Sequence, residues 1–284
     1  MNLHLSVGPV RPDGFHELTT VFHAVDLVDE VVASAAPALR LSVTGDAGGV
    51  PVDSTNIAWQ AAELLAREAG VEPNVRLRIH KRIPVAGGMA GGSADAAGAL
   101  LACNALWGRP VQPPRLAELA ADLGSDVAFP LLGSTAVGTG RGEVLAPVAC
   151  PPLHWAFAPA DFGIAAGRAY GELDRLRATG AAPAPVGAPE ALLAALAGGD
   201  VAAVAGLLAN DLEPAALSLH PELRAVLDAG RAAGALAGIV SGSGPTCAFL
   251  CASDRDALAV AAALRPFSPL ARTAAGPASA SVCA

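Results

Sequence analysis

The sequence predicts an α+β protein, because strand-like and helix-like segments mix along it without the regular alternation that builds a doubly wound sheet. Alternating apolar and polar residues at 75–79 (VRLRI) are typical of a half-buried strand. Helical spacing of apolar residues at 56–69, followed by Gly70, is typical of a helix with a glycine stop. The chain has 284 residues, 53% of them hydrophobic, which is enough for two medium domains or one large one.

The remaining elements follow from the same patterns in chain order. Strands are predicted near residues 1–8, 19–25, 29–33, 39–44, 133–142 and 239–240. Helices are predicted at residues 94–106, 114–123, 190–197, 200–208, 221–230 and 255–264. Residues 178–189 (ATGAAPAPVGAP) are of low complexity and predict a flexible surface loop.

A long uncharged segment at 232–253 would be long enough to cross a membrane. Its centre, residues 241–245 (SGSGP), would break a helix, so the segment predicts a strand, a turn and then a strand or helix in a soluble core. Prolines cluster at 146–152 and predict a domain boundary there, with one domain at residues 1–148 and a second at residues 149–284.

The charge and the cysteines exclude several classes of protein. A net charge of -8 argues against broad binding of nucleic acid or anionic membranes, which needs a basic surface. The five cysteines are odd in number, widely spaced and free of any C-x-x-C pair, so neither a disulfide framework nor a zinc site is expected. The first residues (MNLHLSVGPVRPDG) do not resemble a signal peptide. We therefore expect a cytoplasmic protein that binds neither nucleic acid nor a membrane.

A glycine-rich turn that leads into a predicted helix, residues 84–97 (PVAGGMAGGSADAA), says most about function. Its four glycines leave the main chain open to a ligand, and Ser93 then begins an alanine-rich helix. Exposed N–H groups and the positive end of a helix dipole together bind anions, and phosphate is the natural ligand. The residues expected to contact a bound phosphate group are Pro84, Val85, Ala86, Gly87, Gly88, Met89, Ala90, Gly91, Gly92, Ser93 and Ala94.

Other interpretations of this loop fit less well. No lysine follows Gly92, as a Walker A loop requires, and the G-x-G-x-x-G spacing is absent. A tight turn capped by Ser93, with glycines that serve geometry alone, is the alternative without a ligand. Ser93, Asp126 and His154 follow the chain order of α/β-hydrolases, but residues 91–95 (GGSAD) lack the final glycine of G-x-S-x-G.

The loop resembles the phosphate-binding motif of the GHMP small-molecule kinases, P-x-x-x-G-L-G-G-G-S-S-x-A-A. Residues 2–18, which contain RPDGFHEL, and residues 123–127 (LGSDV) are similar to the branch that phosphorylates 4-diphosphocytidyl-2-C-methyl-D-erythritol. Residues 242–246 (GSGPT) resemble the third motif of the superfamily. The DGFH element at 13–16 is specific to that branch and argues against a kinase for homoserine, mevalonate or a sugar.

The resemblance implies a two-domain GHMP kinase fold, with an amino-terminal domain like domain 2 of ribosomal protein S5 and a ferredoxin-like carboxy-terminal domain. The first would bind ATP, and the second would face the substrate. It implies ATP with Mg²⁺, a small cytidyl diphosphate substrate that is phosphorylated on its 2-hydroxyl in the non-mevalonate isoprenoid route, and a monomer or weak homodimer.

The resemblance also assigns the chemistry to particular residues. Asp126 is the candidate general base, although a solvated or helix-capping role fits the sequence equally well. Ser93 would bind a phosphate oxygen or Mg²⁺, but Ala94 replaces the second serine of the motif, and Met89-Ala90 replace its usual Leu-Gly. Lys81, the only lysine of the chain, is expected to contact the nucleotide or to be a surface charge.

The substrate side follows from the same resemblance. The residues implied are Asn2, Phe15, His16, Tyr170, Gly242 and Ser243. Phe15 and Tyr170 would clamp the cytosine while His16 reads its edge. Asn2 would lie near the transferred phosphate or the substrate, and the residues of the 242–243 turn near the diphosphate. Core packing of the aromatic rings and a purely structural turn are the alternatives.

The family places a lysine in Ala-Lys-x-Asn-Leu, and that lysine would directly precede Met1 here. We therefore expect an upstream start and a first strand that is cut short, and we predict that the chain as written phosphorylates its substrate much more weakly than one extended by Ala-Lys. A coupled assay of ADP release compares the two chains. Full turnover by the unextended chain would contradict the prediction, and nucleotide binding without turnover in both would indicate a catalytically impaired homologue.

Overall fold

The computed structural model describes residues 1–85 and 87–281. The chain forms two compact units. Their described residues are 1–26, 87–89 and 134–278 in the first unit, and 27–85, 90–133 and 279–281 in the second. Each unit is built from segments that are not contiguous in sequence, so this division does not test the predicted domain boundary. The predicted domains at 1–148 and 149–284 remain a prediction.

The elements are numbered in chain order over the described residues. The strands are β1 (Asn2–Val10), β2 (His16–His23), β3 (Glu30–Ala35), β4 (Arg40–Gly45), β5 (Val75–Lys81), β6 (Thr135–Gly140), β7 (Val144–Pro147), β8 (Leu153–Ala158), β9 (Ala209–Asn210), β10 (Ala237–Val240), β11 (Cys247–Cys251) and β12 (Arg272–Gly276). The helices are α1 (Ile57–Ala69), α2 (Gly91–Leu106), α3 (Pro113–Leu123), α4 (Ala128–Leu132), α5 (Ala166–Ala178), α6 (Glu190–Gly198), α7 (Val201–Leu207), α8 (Glu213–Leu219), α9 (Leu223–Ala232) and α10 (Asp254–Leu264).

The second unit is a three-stranded sheet with helices α1 to α4. Its central strand is β5, which pairs antiparallel with β3 and parallel with β4. Residues of β5 are alternately buried and exposed, as predicted from the sequence. The predicted helix at 56–69 is also confirmed: Asn56 caps α1 by accepting a hydrogen bond from the Ala58 N–H, and Gly70 ends it at φ 65°.

The first unit contains two sheets. The five-stranded sheet has the order β7-β6-β2-β1-β9, with neighbours antiparallel except for β1 and β9. The four-stranded sheet has the order β10-β11-β8-β12 and is antiparallel throughout. Because β11 lies between β8 and β10, this sheet has the split β-α-β order of ferredoxin-like folds, which confirms that prediction. Helices α5, α8, α9 and α10 contribute to its core.

The segment at 232–253 folds as β10, a turn and β11, in agreement with the first of the two predicted arrangements. Among the described residues, no helix combines the length and the apolar character needed to cross a bilayer.

His23 is a fully buried titratable group in the first unit. Its Nδ1 lies 2.9 Å from the Thr135 hydroxyl, and its Nε2 has no hydrogen-bond partner among the described residues. Burial lowers the pKa of His23 from its ordinary 6.5 to about 3. The imidazole is therefore neutral in the folded chain at physiological pH.

This burial makes stability depend on pH. Between pH 6.5 and 3 the unfolded chain binds a proton at His23 that the folded chain does not, so acidification lowers the free energy of unfolding. From pH 7 to pH 5 this one group should account for a loss of about 2 kcal/mol. In urea unfolding between pH 7 and pH 5, we expect the free energy of unfolding of His23→Gln to fall by about 2 kcal/mol less than that of the wild type. The exposed His80 provides the control His80→Gln, and an equal loss in both variants would contradict the prediction.

Candidate functional site

Helix α2 begins at Gly91, so the predicted start at Ser93–Ala94 is wrong. The residue before it, Ala90, is left-handed at φ 52° and ψ 34°, and the Ala94 N–H closes the first turn on the Ala90 carbonyl at 2.9 Å. Ser93 is therefore the third residue of the helix and not its cap. The N–H groups of Gly91, Gly92 and Ser93 are first-turn donors, for which the helix itself has no acceptors. They lie at the positive end of the helix dipole.

The two glycines that begin α2 have different surroundings. A Cβ on Gly91 would lie 3.0 Å from the Ile83 Cγ2 and 3.3 Å from the Lys81 Nζ, so this position is closely packed. Among the described residues, a Cβ on Gly92 would come near the Ile57 Cγ2 alone, at an ordinary 3.8 Å. A side chain at position 91 would therefore force Ile83 or Lys81 to shift, whereas the absent side chain at position 92 leaves open space beside the helix amides.

Residues 87–89 of the loop belong to the first unit. The Gly87 carbonyl accepts from the Thr246 N–H at 3.2 Å, and the Gly88 carbonyl accepts from the Ser241 hydroxyl at 3.0 Å. Gly88 has φ 70°, and a Cβ there would lie 2.5 Å from the Ser241 carbonyl oxygen. Gly87 and Gly88 are thus fixed against the turn that resembles the third motif. Ala86 lies outside the described residues, Pro84 is half-buried, Val85 is exposed and Met89 is buried.

Asp126 lies in the turn between α3 and α4. The Val127 N–H donates to the Gly124 carbonyl at 3.0 Å, and the Val127 side chain is buried while Asp126 is exposed. Desolvation by the surrounding chain still raises the pKa of Asp126 above its ordinary value. A Cβ on Gly124 would lie 3.9 Å from the Ile57 Cδ1. Since Ile57 also borders Gly92, the turn that carries the predicted base and the first turn of α2 both lie beside the same side chain.

Lys81 is neither a surface charge nor an open nucleotide contact, which corrects both expectations. It is 3% exposed and forms ion pairs with Asp29 and, at 2.7 Å, with Asp95. Burial raises the pKa of Asp95 to about 7, although Lys81 opposes this shift. Sequence reasoning missed both aspartates. The signal available was the inward position of Lys81 in the alternating pattern of β5.

The first unit brings some substrate-side residues together. Asn2 donates to the Thr20 hydroxyl at 2.7 Å, and its Oδ1 would lie 3.3 Å from a Cβ on Gly242. The neighbouring Ser243 is half-buried in the same turn. A side-chain amide and a glycine turn therefore lie side by side, and their contact with a diphosphate remains a prediction.

The predicted base-binding residues form two ring contacts in the first unit. The rings of His16 and Tyr170 stack with centroids 5.0 Å apart, and the His16 Nε2 lies 3.0 Å from the Asp174 Oδ1. Phe15 is 50% exposed, with the Arg141 guanidinium 5.1 Å from its ring centroid. The stacked pair leaves no gap for a base between its own rings, and Phe15 is the exposed ring of the three. The clamp by Phe15 and Tyr170 remains a prediction.

Comparisons with known proteins agree with the geometry. The family models described as GHMP kinases N terminal domain and GHMP kinases C terminal match residues 56–134 and 192–268. Proteins named 4-diphosphocytidyl-2-C-methyl-D-erythritol kinase are similar to the chain. One from Salinispora arenicola is 55% identical over 282 residues, covering 98% of this chain and 90% of that protein. One from Mycolicibacterium smegmatis is 58% identical over 263 residues, covering 92% and 82%.

Solved structures give the same result. The crystal structure of a 4-(cytidine 5'-diphospho)-2C-methyl-D-erythritol kinase superposes with a TM-score of 0.80 at 35% identity, covering 96% of this chain and 95% of that one. The L. major mevalonate kinase in complex with R-mevalonate superposes with a TM-score of 0.74 at 14% identity, covering 92% and 90%. The second likeness shows a shared fold alone.

The contrast between the two helix-opening glycines can be tested directly. Gly92→Ala should leave the free energy of unfolding within about 0.5 kcal/mol of wild type, whereas Gly91→Ala should lower it by about 1–3 kcal/mol through overpacking. If phosphates contact the amides beside Gly92, the added methyl group should weaken binding of an ATP analogue at least tenfold, as measured by calorimetry. Unchanged affinity in Gly92→Ala would place the phosphates elsewhere.

Proposed function

Since the chain belongs to the GHMP kinases, we propose that it transfers the γ-phosphoryl group of ATP to the 2-hydroxyl of 4-diphosphocytidyl-2-C-methyl-D-erythritol, in non-mevalonate isoprenoid synthesis. The observation that carries the proposal is the pairing of open helix amides at the start of α2 with the Asp126 turn, both beside Ile57. The relatives named for this reaction and the DGFH element at residues 13–16 support the choice of substrate.

The amides of Gly91, Gly92 and Ser93 would hold the β- and γ-phosphates. The left-handed Ala90 turns the chain into the helix so that these donors point out of its amino terminus. Phosphoryl transfer needs little covalent chemistry from the protein, and it is accelerated mainly by positioning and by electrostatic stabilisation of the phosphate oxygens. Fixed amides at a helix dipole provide both.

Asp126 would orient the 2-hydroxyl and accept its proton. As the hydroxyl oxygen bonds to the γ-phosphorus, the bond from that phosphorus to the bridging oxygen breaks and ADP leaves. The hydroxyl proton moves to a carboxylate oxygen of Asp126. The raised pKa of Asp126 makes its carboxylate a stronger base than an ordinary aspartate, which favours this role.

Mg²⁺ would reach the site chiefly as a complex with ATP. The described residues contain no cluster of three or more His, Cys, Asp or Glu side chains suited to a metal ion. This fits Mg²⁺, which commonly binds through one or two protein oxygens, nucleotide phosphates and water. The Ser93 hydroxyl, in the first turn of α2, is the protein ligand we propose, because Asp95 is engaged by Lys81. The bound ion would neutralise charge on the phosphates.

The substrate would be held by residues of the first unit. We assign the diphosphate to Asn2 and to the turn at Gly242 and Ser243, which lies beside that amide. We assign the cytosine to Phe15, His16 and Tyr170, because the accessible ring of Phe15 can stack on a base.

The cellular compartment and the binding partners of the kinase are inferred from the composition of the chain and from its free cysteines. We propose that the kinase works in the cytoplasm as a monomer or weak homodimer, without nucleic acid. The net charge of -8 and the free state of the four described cysteines support this proposal.

The function is tested by replacing the proposed base. In a chain extended by Ala-Lys, Asp126→Asn should lower kcat about 100-fold or more while the Kd of an ATP analogue stays within twofold. In wild type the acidic limb of the kcat profile should lie above the usual aspartate range, because protonation of Asp126 abolishes the base.

Asp122→Asn is the matched control, since Asp122 is exposed on the neighbouring helix α3. This variant should keep the wild-type rate. Retention of the rate by Asp126→Asn would remove Asp126 from the mechanism. Failure of the extended wild type to phosphorylate the cytidyl substrate would overturn the proposed function.

A further inference from the structure

Lys81, Asp29 and Asp95 form a buried charge cluster beneath the start of α2. Their side chains are 2%, 1% and 4% exposed. Lys81 is the last residue of β5, Asp29 precedes β3, and Asp95 lies in α2. One ammonium group therefore connects three parts of the second unit that are remote in sequence.

The cluster also fixes the chain that leaves β5. The Asp29 Oδ1 accepts hydrogen bonds from the backbone N–H of Arg82 at 2.6 Å and of Ile83 at 2.9 Å, while its Oδ2 pairs with Lys81. Asp29 thus holds the first two residues of the segment that leads into the glycine loop.

The ammonium lies against the backbone of the first helical residue. A Cβ on Gly91 would be 3.3 Å from the Lys81 Nζ, and Asp95 follows four residues later on the same helix face. The side of the helix that carries Gly91 is therefore occupied by Lys81, and the side that carries Gly92 is left open. Because desolvation offsets much of the attraction in a buried ion pair, net stability alone does not explain this cluster.

We propose that Lys81 is a positioning residue, which acts through Asp29 and Asp95 to hold the first turn of α2 so that its amides converge on the triphosphate of ATP. The inference deepens the proposed function and rests on it. It also gives a reason for glycine at position 91, because a side chain there would crowd the ammonium group of Lys81. This reason does not depend on a phosphate lying against the Gly91 Cα.

Kinetics of Asp95 variants test the proposal. In the extended chain, Asp95→Ala should raise the KM for ATP at least tenfold, while the KM for the cytidyl substrate stays within twofold. Asp95→Asn keeps a hydrogen-bond acceptor for Lys81 and should stay within about threefold of wild type. Leu119→Ala, at a buried position of α3 in the same unit, is the control for lost stability. It should lower the Tm and leave the KM for ATP unchanged.

If Asp95→Ala behaves like Leu119→Ala, the cluster is structural only and the proposal is overturned, while the proposed function stands. If Asp95→Ala does not fold, the unmodified chain supplies a second test, because its one lysine gives a single ¹⁵Nζ resonance when lysine is labelled. Once calorimetry has established binding, saturation with a non-hydrolysable ATP analogue should shift this resonance. An unmoved resonance in the saturated protein also overturns the proposal, whereas absence of nucleotide binding would count against the proposed function itself.

Discussion

The second unit depends on how closely the first turns of α2 approach the sheet. At Gly91 the helix backbone comes into contact with Lys81 and Ile83, and at Gly98 a Cβ would lie 2.7 Å from the Val31 Cγ2. Helix α2 therefore packs closely at two of its glycines, Gly91 and Gly98, where it has no side chain of its own. A glycine- and alanine-rich sequence makes this possible, because neighbouring side chains fill the space that the helix leaves.

One strained residue directly precedes the helix at an exposed position of the loop. Ala90 adopts the left-handed conformation, which costs an L-residue other than glycine roughly 1 kcal/mol. The GHMP motif commonly has glycine at this position, so the chain retains backbone strain that the usual motif avoids. The strain is tolerated because the Ala94 N–H bonds to the Ala90 carbonyl and Gly91 is held from below.

Local patterns predicted α1 and β5 well, since a side-chain cap, a glycine stop and a two-residue alternation are written in neighbouring residues. The start of α2 was predicted wrongly because Ser93 is a good capping residue, and the packing that draws Gly91 into the helix involves residues of β5 and the segment after it. The sequence motifs predicted that the Asp126 turn and the glycine loop belong to the site. They did not indicate that Ile57 borders both, or that Asn2 lies beside Gly242, because those contacts depend on tertiary structure.

The burial of the single lysine has a practical consequence for handling this protein. Reagents that acylate primary amines find no exposed lysine on the folded chain, so acylation of a side chain requires the second unit to open. The rate at which Lys81 becomes acylated would therefore report local opening beneath the glycine loop, at a residue-specific resolution that global unfolding curves do not provide.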